Sequence, residues 1–199
     1  MASLREENKR ATRQAMADAA ARLVLDGGAE AATISGITAA VGVSPRTFHN
    51  YFSSVADALL YFTADVLESF AADIPSVCPG KSVTAVLEAA LLEYLEDEEK
   101  ELRSLHTLYR IGEALENLSH TPEERRRFER VSDTIISAFQ QRGTDYTDYE
   151  LGVVLKACAG GSVAFRQELE RRQAAGENVS LADKKKMVKD TFSVLRALD

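Results

Sequence analysis

One helix must stop and another start within the four residues Gly42-Val43-Ser44-Pro45, and that constrains the fold of this chain more than any other feature. Gly42 permits a tight turn. Ser44 is a helix-capping residue, and Pro45 suits the first helical position, where a missing N–H costs nothing. Upstream, Thr33 is placed to cap a short helix that runs to Val41 with Ile34, Ile37 and Val41 as its apolar stripe. The segment therefore reads as two short helices joined by a turn, the helix-turn-helix arrangement.

The same punctuation recurs along the chain. A first helix is expected from about Lys9 to Asp26, with Ala15, Ala19, Ala20, Leu23 and Val24 at helical spacing and Gly27-Gly28 ending it. The helix that begins at Pro45 should end near Tyr51 or Phe52, and Ser53-Ser54 can cap a long fourth helix towards Asp73. After the break at Ser76–Ser82, helices are expected over 82–97, 99–117, 122–142, 147–173 and 181–197. No strand alternation stands out, so the predicted fold class is all-α. Residues 1–54 read as a three-helix helix-turn-helix domain, joined by the long fourth helix to a larger helical domain over 55–199.

Composition narrows the function classes. Of 199 residues, 45% are hydrophobic and 28% charged, a soluble-protein balance able to bury a sizeable core. No apolar run approaches the roughly 18 residues of a membrane span, and the charged start MASLREENKRATRQ lacks the apolar stretch of a signal peptide, so a cytoplasmic protein is expected. Cys78 and Cys158 are far apart and form no CxxC pair; Cys158, within VVLKACAGG, reads as a small buried hydrophobe. His49, His106 and His120 show no metal-ligand spacing. With no nucleophile–base pairing and no phosphate-binding glycine loop either, neither an enzyme nor a metal or cofactor is expected. The net charge of −7 disfavours a nucleic-acid partner until its distribution is read: residues 1–55 hold six basic groups against five acidic, a net of +1, which leaves −8 for the rest. One end of such a chain can still meet DNA.

The helix that starts at Pro45 shows which end. Phe48 and Phe52 lie four apart and should point inwards against Ile37, Val41 and Val43. That leaves Pro45, Arg46, His49 and Asn50 on the exposed side, with Tyr51 beside them. Arginine can take guanine O6 and N7 in a bidentate fork, and asparagine can do the same to adenine N6 and N7. The hydroxyls of Thr33, Ser44, Thr47 and Tyr51, and the charge of Arg13, suit phosphate oxygens, which set register rather than sequence. The expected partner is double-stranded DNA, read in its major groove.

The stretch TISGITAAVGVSPRTFHNYFSSVADALL, Thr33 to Leu60, resembles the N-terminal signature of the TetR family of transcriptional regulators, and the helix before it is similar to that family as well. The resemblance covers about a third of the chain. It implies base contacts from Pro45, Arg46 and His49, with Asn50 nearby, and phosphate contacts from Thr33, Thr47, Tyr51 and the start of the fourth helix at Ser54. Three positions depart from the pattern. His49 replaces a tyrosine, which would make readout there pH-sensitive; Thr38 replaces a small alanine; Val55 stands where a lysine commonly meets phosphate.

For residues 55–199 the resemblance implies a small-molecule effector among the central helices and a homodimer formed by the last two long helices. The candidate pocket lining is Tyr94, His106, Tyr109, Arg110, Glu113 and Cys158. The candidate dimer surface is Gly160, Gly161, Ala164, Phe165, Phe192 and Leu195, where small residues let helices approach closely. The charge run Glu124–Arg130 reads as a solvated helix face. The function implied is a ligand-responsive transcriptional repressor. The competing reading is a helical ligand-binding or interaction protein that has lost DNA binding, motivated by the acidic body and by Val55.

Overall fold

The computed structural model describes residues 4–73, 82–95, 102–103, 105–118 and 121–197. Cys78, His120 and the expected helix ends near residues 97–101 lie outside that range. All described elements are helical: α1 (Leu4–Gly27), a 3-10 turn (Ala29–Ala31), α2 (Ile34–Val41), α3 (Pro45–His49), α4 (Val55–Asp73), α5 (Val83–Tyr94), α6 (Leu105–Leu118), α7 (Pro122–Gln141), α8 (Asp148–Ala174) and α9 (Leu181–Ala197). The all-α fold expected from the sequence is the fold observed. The chain forms two compact units, one of Met1–Leu67 with Arg110–Ser132, the other of Glu68–Tyr109 with Asp133–Asp199.

In the first unit, α1 packs on α2 and α2 on α3. The inner face of α1 is Met16, Ala17, Ala20, Ala21 and Val24, a stripe at i, i+4 and i+8 whose alanines let α2 approach. The helix starts at Leu4, five residues before the expected Lys9. Its first eight residues are all exposed, so the extension owes nothing to packing. Good helix formers and the acidic Glu6 and Glu7 near the N-terminus sustain it. Thr33 caps α2 by accepting from Gly36 N–H at 3.1 Å. Gly42 ends that helix at φ 73°, a left-handed conformation that would strain any residue with a side chain. Thr38, the departure from a small alanine, is buried, and its hydroxyl is satisfied by Ser35 C=O at 3.2 Å.

In the second unit α5, α8 and α9 pack on one another. Val86, Leu87, Leu151, Leu169, Val188 and Phe192 are among its fully buried side chains, with Phe139 contributed by the later turns of α7. Gly161 sets the α8–α9 spacing: a Cβ there would lie 3.0 Å from both Leu195 Cδ1 and Thr191 Cγ2. At the other side of α9, Arg196 Nη1 meets Glu88 Oε2 of α5 at 2.6 Å. Thr147 and Glu150 form a reciprocal capping box that starts α8.

Phe192 is fully buried whereas its neighbour Ser193 is exposed. Phe192→Ala should therefore lower unfolding stability by about 3–5 kcal/mol, and Ser193→Ala by no more than about 0.5 kcal/mol. Urea denaturation of the two variants checks this; similar losses would place the core elsewhere.

Candidate nucleic-acid interface

α3 contains only five residues, so its position must come from what lies beneath it. Ser44 accepts from Thr47 N–H at 3.1 Å and starts the helix, with Pro45 in the first turn. Below, Phe48 is 0% and Phe52 1% exposed. Their rings lie 5.7 Å apart, and Phe52 meets Tyr61 of α4 edge-on at 5.8 Å. Helical hydrogen bonds continue past His49, because Tyr51 and Phe52 N–H both reach Phe48 C=O at 2.9 Å. This anchoring turns Pro45, Arg46, His49 and Asn50 outwards, and all four are exposed. Thr47 and Tyr51 flank them half-buried. The His49 ring stands edge-on to Phe48 at 5.7 Å, which limits the directions the imidazole can take.

The hydroxyls expected at phosphates already carry structural duties. Thr33 Oγ1 caps α2 and bonds Ser35 Oγ at 3.1 Å; Ser44 Oγ caps α3 and bonds Thr47 Oγ1 at 2.9 Å. A cap uses one lone pair of such an oxygen and leaves it able to meet a second partner. Arg13, the charged phosphate candidate, lies on α1. Its guanidinium sits 4.3 Å over the Tyr61 ring centroid and 5.2 Å from that of Phe52, and its Nε is buried without a hydrogen-bond partner. This is a cation–π seat behind the recognition helix.

Ser54, at the start of α4, has its own partners. Its Oγ accepts from Asp57 N–H at 3.0 Å and donates to Glu124 Oε1 of α7 at 2.9 Å. One turn on, Asp57 Oδ2 takes the N–H of Ser53 at 2.9 Å and its hydroxyl at 3.1 Å, while Oδ1 takes Arg127 Nη1 at 2.7 Å. Glu124 also closes the cap of its own helix, accepting from Thr121 N–H and Oγ1 through Oε2. The run Glu124–Arg130, expected to be a solvated face, is thus bonded to α4 through Glu124 and Arg127, while Arg126, Glu129 and Arg130 are exposed. The S-x-x-D and T-x-x-E spacings that build the two caps are visible in the sequence; their meeting across 70 positions is not.

Three of the effector-pocket candidates, Tyr109, Arg110 and Glu113, lie on α6. Tyr109 is half-buried in the second unit, whereas Arg110 is half-buried and Glu113 exposed in the first. The Tyr94 and His106 side chains lie outside the described residues. Cys158 is buried in α8, and burial pushes its thiol up to about 11. The dimer candidates divide: Gly160 and Ala164 are exposed, Gly161 and Leu195 half-buried against each other, and Phe165 and Phe192 buried in the core of the second unit. Among the described residues, no group of three or more His, Cys, Asp and Glu could hold a metal, and no helix is long and apolar enough to cross a membrane.

A capped one-turn helix standing on a buried aromatic pair, with a fork-bearing row outwards, defines a helix-turn-helix DNA-binding protein. Residues 17–60 match the family described as bacterial regulatory proteins, tetR family. The match spans the helix-turn-helix and supports a DNA-binding transcription regulator similar to the TetR family. No curated protein matches it.

Asp57 has a measurable signature. Its burial raises the carboxyl's pKa, but the Ser53 N–H, the Arg127 guanidinium and the Ser53 hydroxyl together hold it below the ordinary value of 3.8. A depressed carboxyl stabilises the fold fully above its unfolded value and loses that contribution as pH falls through the lower folded value. Wild type should exceed Asp57→Asn in unfolding free energy by roughly 1–3 kcal/mol near pH 7, with the margin shrinking towards about pH 3. Urea melts across that range test it, and a margin independent of pH would contradict the assignment.

Proposed function

We propose that this regulator is a homodimeric repressor, acting in the cytoplasm, that a small-molecule effector releases from a palindromic operator. The observation that carries the reading is the exposed row Pro45, Arg46, His49 and Asn50 above buried Phe48 and Phe52. Arg46 supplies a pair of donors for guanine, Asn50 a donor and an acceptor for adenine, and His49 ring nitrogens for a base edge. Thr33, Ser44, Thr47 and Tyr51 hold the backbone on either side. Ser54 and Arg13 serve the DNA by supporting this surface, given the partners they already have.

In this reading residues 1–54 read DNA, and residues 55–199 receive the effector and the second subunit. The exposed face of α8 supports the pairing: Tyr149, Val153, Ala157, Gly160 and Ala164 follow one another at spacings of three and four, with Tyr149 81% and Val153 50% exposed. Phe165 and Phe192 stiffen that surface from beneath. A two-fold pair would set two recognition helices about 34–36 Å apart, one turn of B-DNA. An effector acts by binding one arrangement of the two heads better than the other.

The test is to mix purified protein with fragmented DNA from its source genome at roughly 150 mM salt. Retained fragments sharing an inverted repeat support the reading. A folded dimer that retains nothing, at this salt and at a lower one, leaves the alternative, an interaction protein that kept the fold and lost the groove.

Two substitutions separate the proposed roles. Arg46→Ala should reduce discrimination between the retained site and random duplex by about 1–3 kcal/mol. Thr47→Ala should weaken both complexes alike, because phosphates carry no base identity. Fluorescence anisotropy with both duplexes measures the pair; identical behaviour of the two variants would refute the division.

A further inference from the structure

We infer that Arg127, well outside the matched segment 17–60, is a positioning residue for DNA binding, acting through Asp57 on the turn that leaves the recognition helix. The inference rests on the DNA-binding reading of that helix.

The geometry is a pair of interlocked helix caps. Ser54 and Asp57 cap α4; Thr121 and Glu124 cap α7. In each carboxylate one oxygen holds the residue before its own helix, Asp57 Oδ2 on Ser53 and Glu124 Oε2 on Thr121, and the other oxygen meets the facing helix. The Ser54 hydroxyl donates to Glu124 Oε1, and Arg127 Nη1 donates to Asp57 Oδ1. The four residues form two rungs, 54 with 124 and 57 with 127, each one turn apart on its own helix. Both helix N-termini carry partial positive charge, and the carboxylates of Asp57 and Glu124 offset it.

What the clamp holds is the exit from α3. Five residues separate His49 from Val55, and Tyr51, proposed to meet phosphate, lies among them. Ser53 is fixed at both its N–H and its hydroxyl by Asp57 Oδ2. The Asp57 side chain is 12% exposed and that of Arg127 38% exposed. Removing Arg127 leaves a mostly buried carboxylate with one oxygen short of a partner, in a low-dielectric setting where such a loss is felt. Asp57 then has cause to turn towards water, and Ser53, Tyr51 and the end of α3 lose their anchor. Arg127 itself need touch no DNA.

The experiment measures binding of a labelled duplex carrying the most enriched genomic site, at several salt concentrations and at a temperature where circular dichroism shows every variant fully folded. Wild type that binds this duplex no better than random DNA would remove the underlying reading, not this inference alone. Given wild-type binding, Arg127→Met should weaken the specific complex about tenfold, the scale of a lost hydrogen bond to a charged group. The slope of log K against log salt should stay unchanged, since no phosphate contact is lost. Arg127→Lys should recover most of the affinity, because one ammonium donor can reach Oδ1. Asp57→Asn combined with Arg127→Met should be no worse than the weaker single variant. If Arg127→Met is unfolded, Arg127→Gln takes its place with the same expected direction. Wild-type affinity in the folded variant would overturn the inference. So would a salt slope reduced by about 0.9, which would make Arg127 a direct phosphate contact.

Discussion

A helix of five residues cannot sustain itself in water, because its few hydrogen bonds do not repay the cost of nucleation. α3 exists because Phe48 is buried beneath it, and Phe52, four residues on, fastens the turn that follows. The outward row inherits its position from those two rings. Arg13 extends the same logic from α1, laying its guanidinium across Tyr61 and Phe52 so that a charge becomes part of the packing. The surface offered to a groove is thus built from behind, by aromatic area that never meets DNA.

The caps provide the second layer of support. Helix N-termini expose unpaired N–H groups, and this chain answers with a hydroxyl and a carboxylate three residues apart at α4, α7 and α8. At α4 and α7 the same atoms also join two helices distant in sequence. Satisfying a local need and fixing a tertiary contact with one carboxylate is economical, and it places residues 122–132 in the same compact unit as the recognition helix.

Much of this was readable from residues alone. Thr33, Gly42, Ser44 and Pro45 mark helix ends by local chemistry, and the ends fall where that chemistry puts them. Phe48 and Phe52 could be turned inwards from spacing, and the outward row followed. α1 begins earlier than its apolar stripe suggested, since helix propensity and end charges extend it beyond the packed part. By its charge Arg13 reads as a phosphate contact, because sequence spacing does not reveal that Tyr61 and Phe52 lie beside it. Glu124 and Arg127 were hidden for the same reason: a charge run on an amphipathic helix looks alike whether it faces water or another helix's cap. Phe165 and Phe192, apolar and on the last two helices, fit an interface and a core equally well by pattern; burial separates the two.

Cys158 gives the second unit an internal clock. Only a thiolate attacks an alkylating reagent, and burial raises this thiol's pKa, which keeps it protonated at neutral pH. With 1% exposure, it reacts only when α8 pulls away from its neighbours. Its rate of disappearance therefore reports how often that unit opens. Any small molecule that favours the closed unit must slow the reaction by mass action. Compounds that bind this unit could then be ranked by the lifetime of a single thiol.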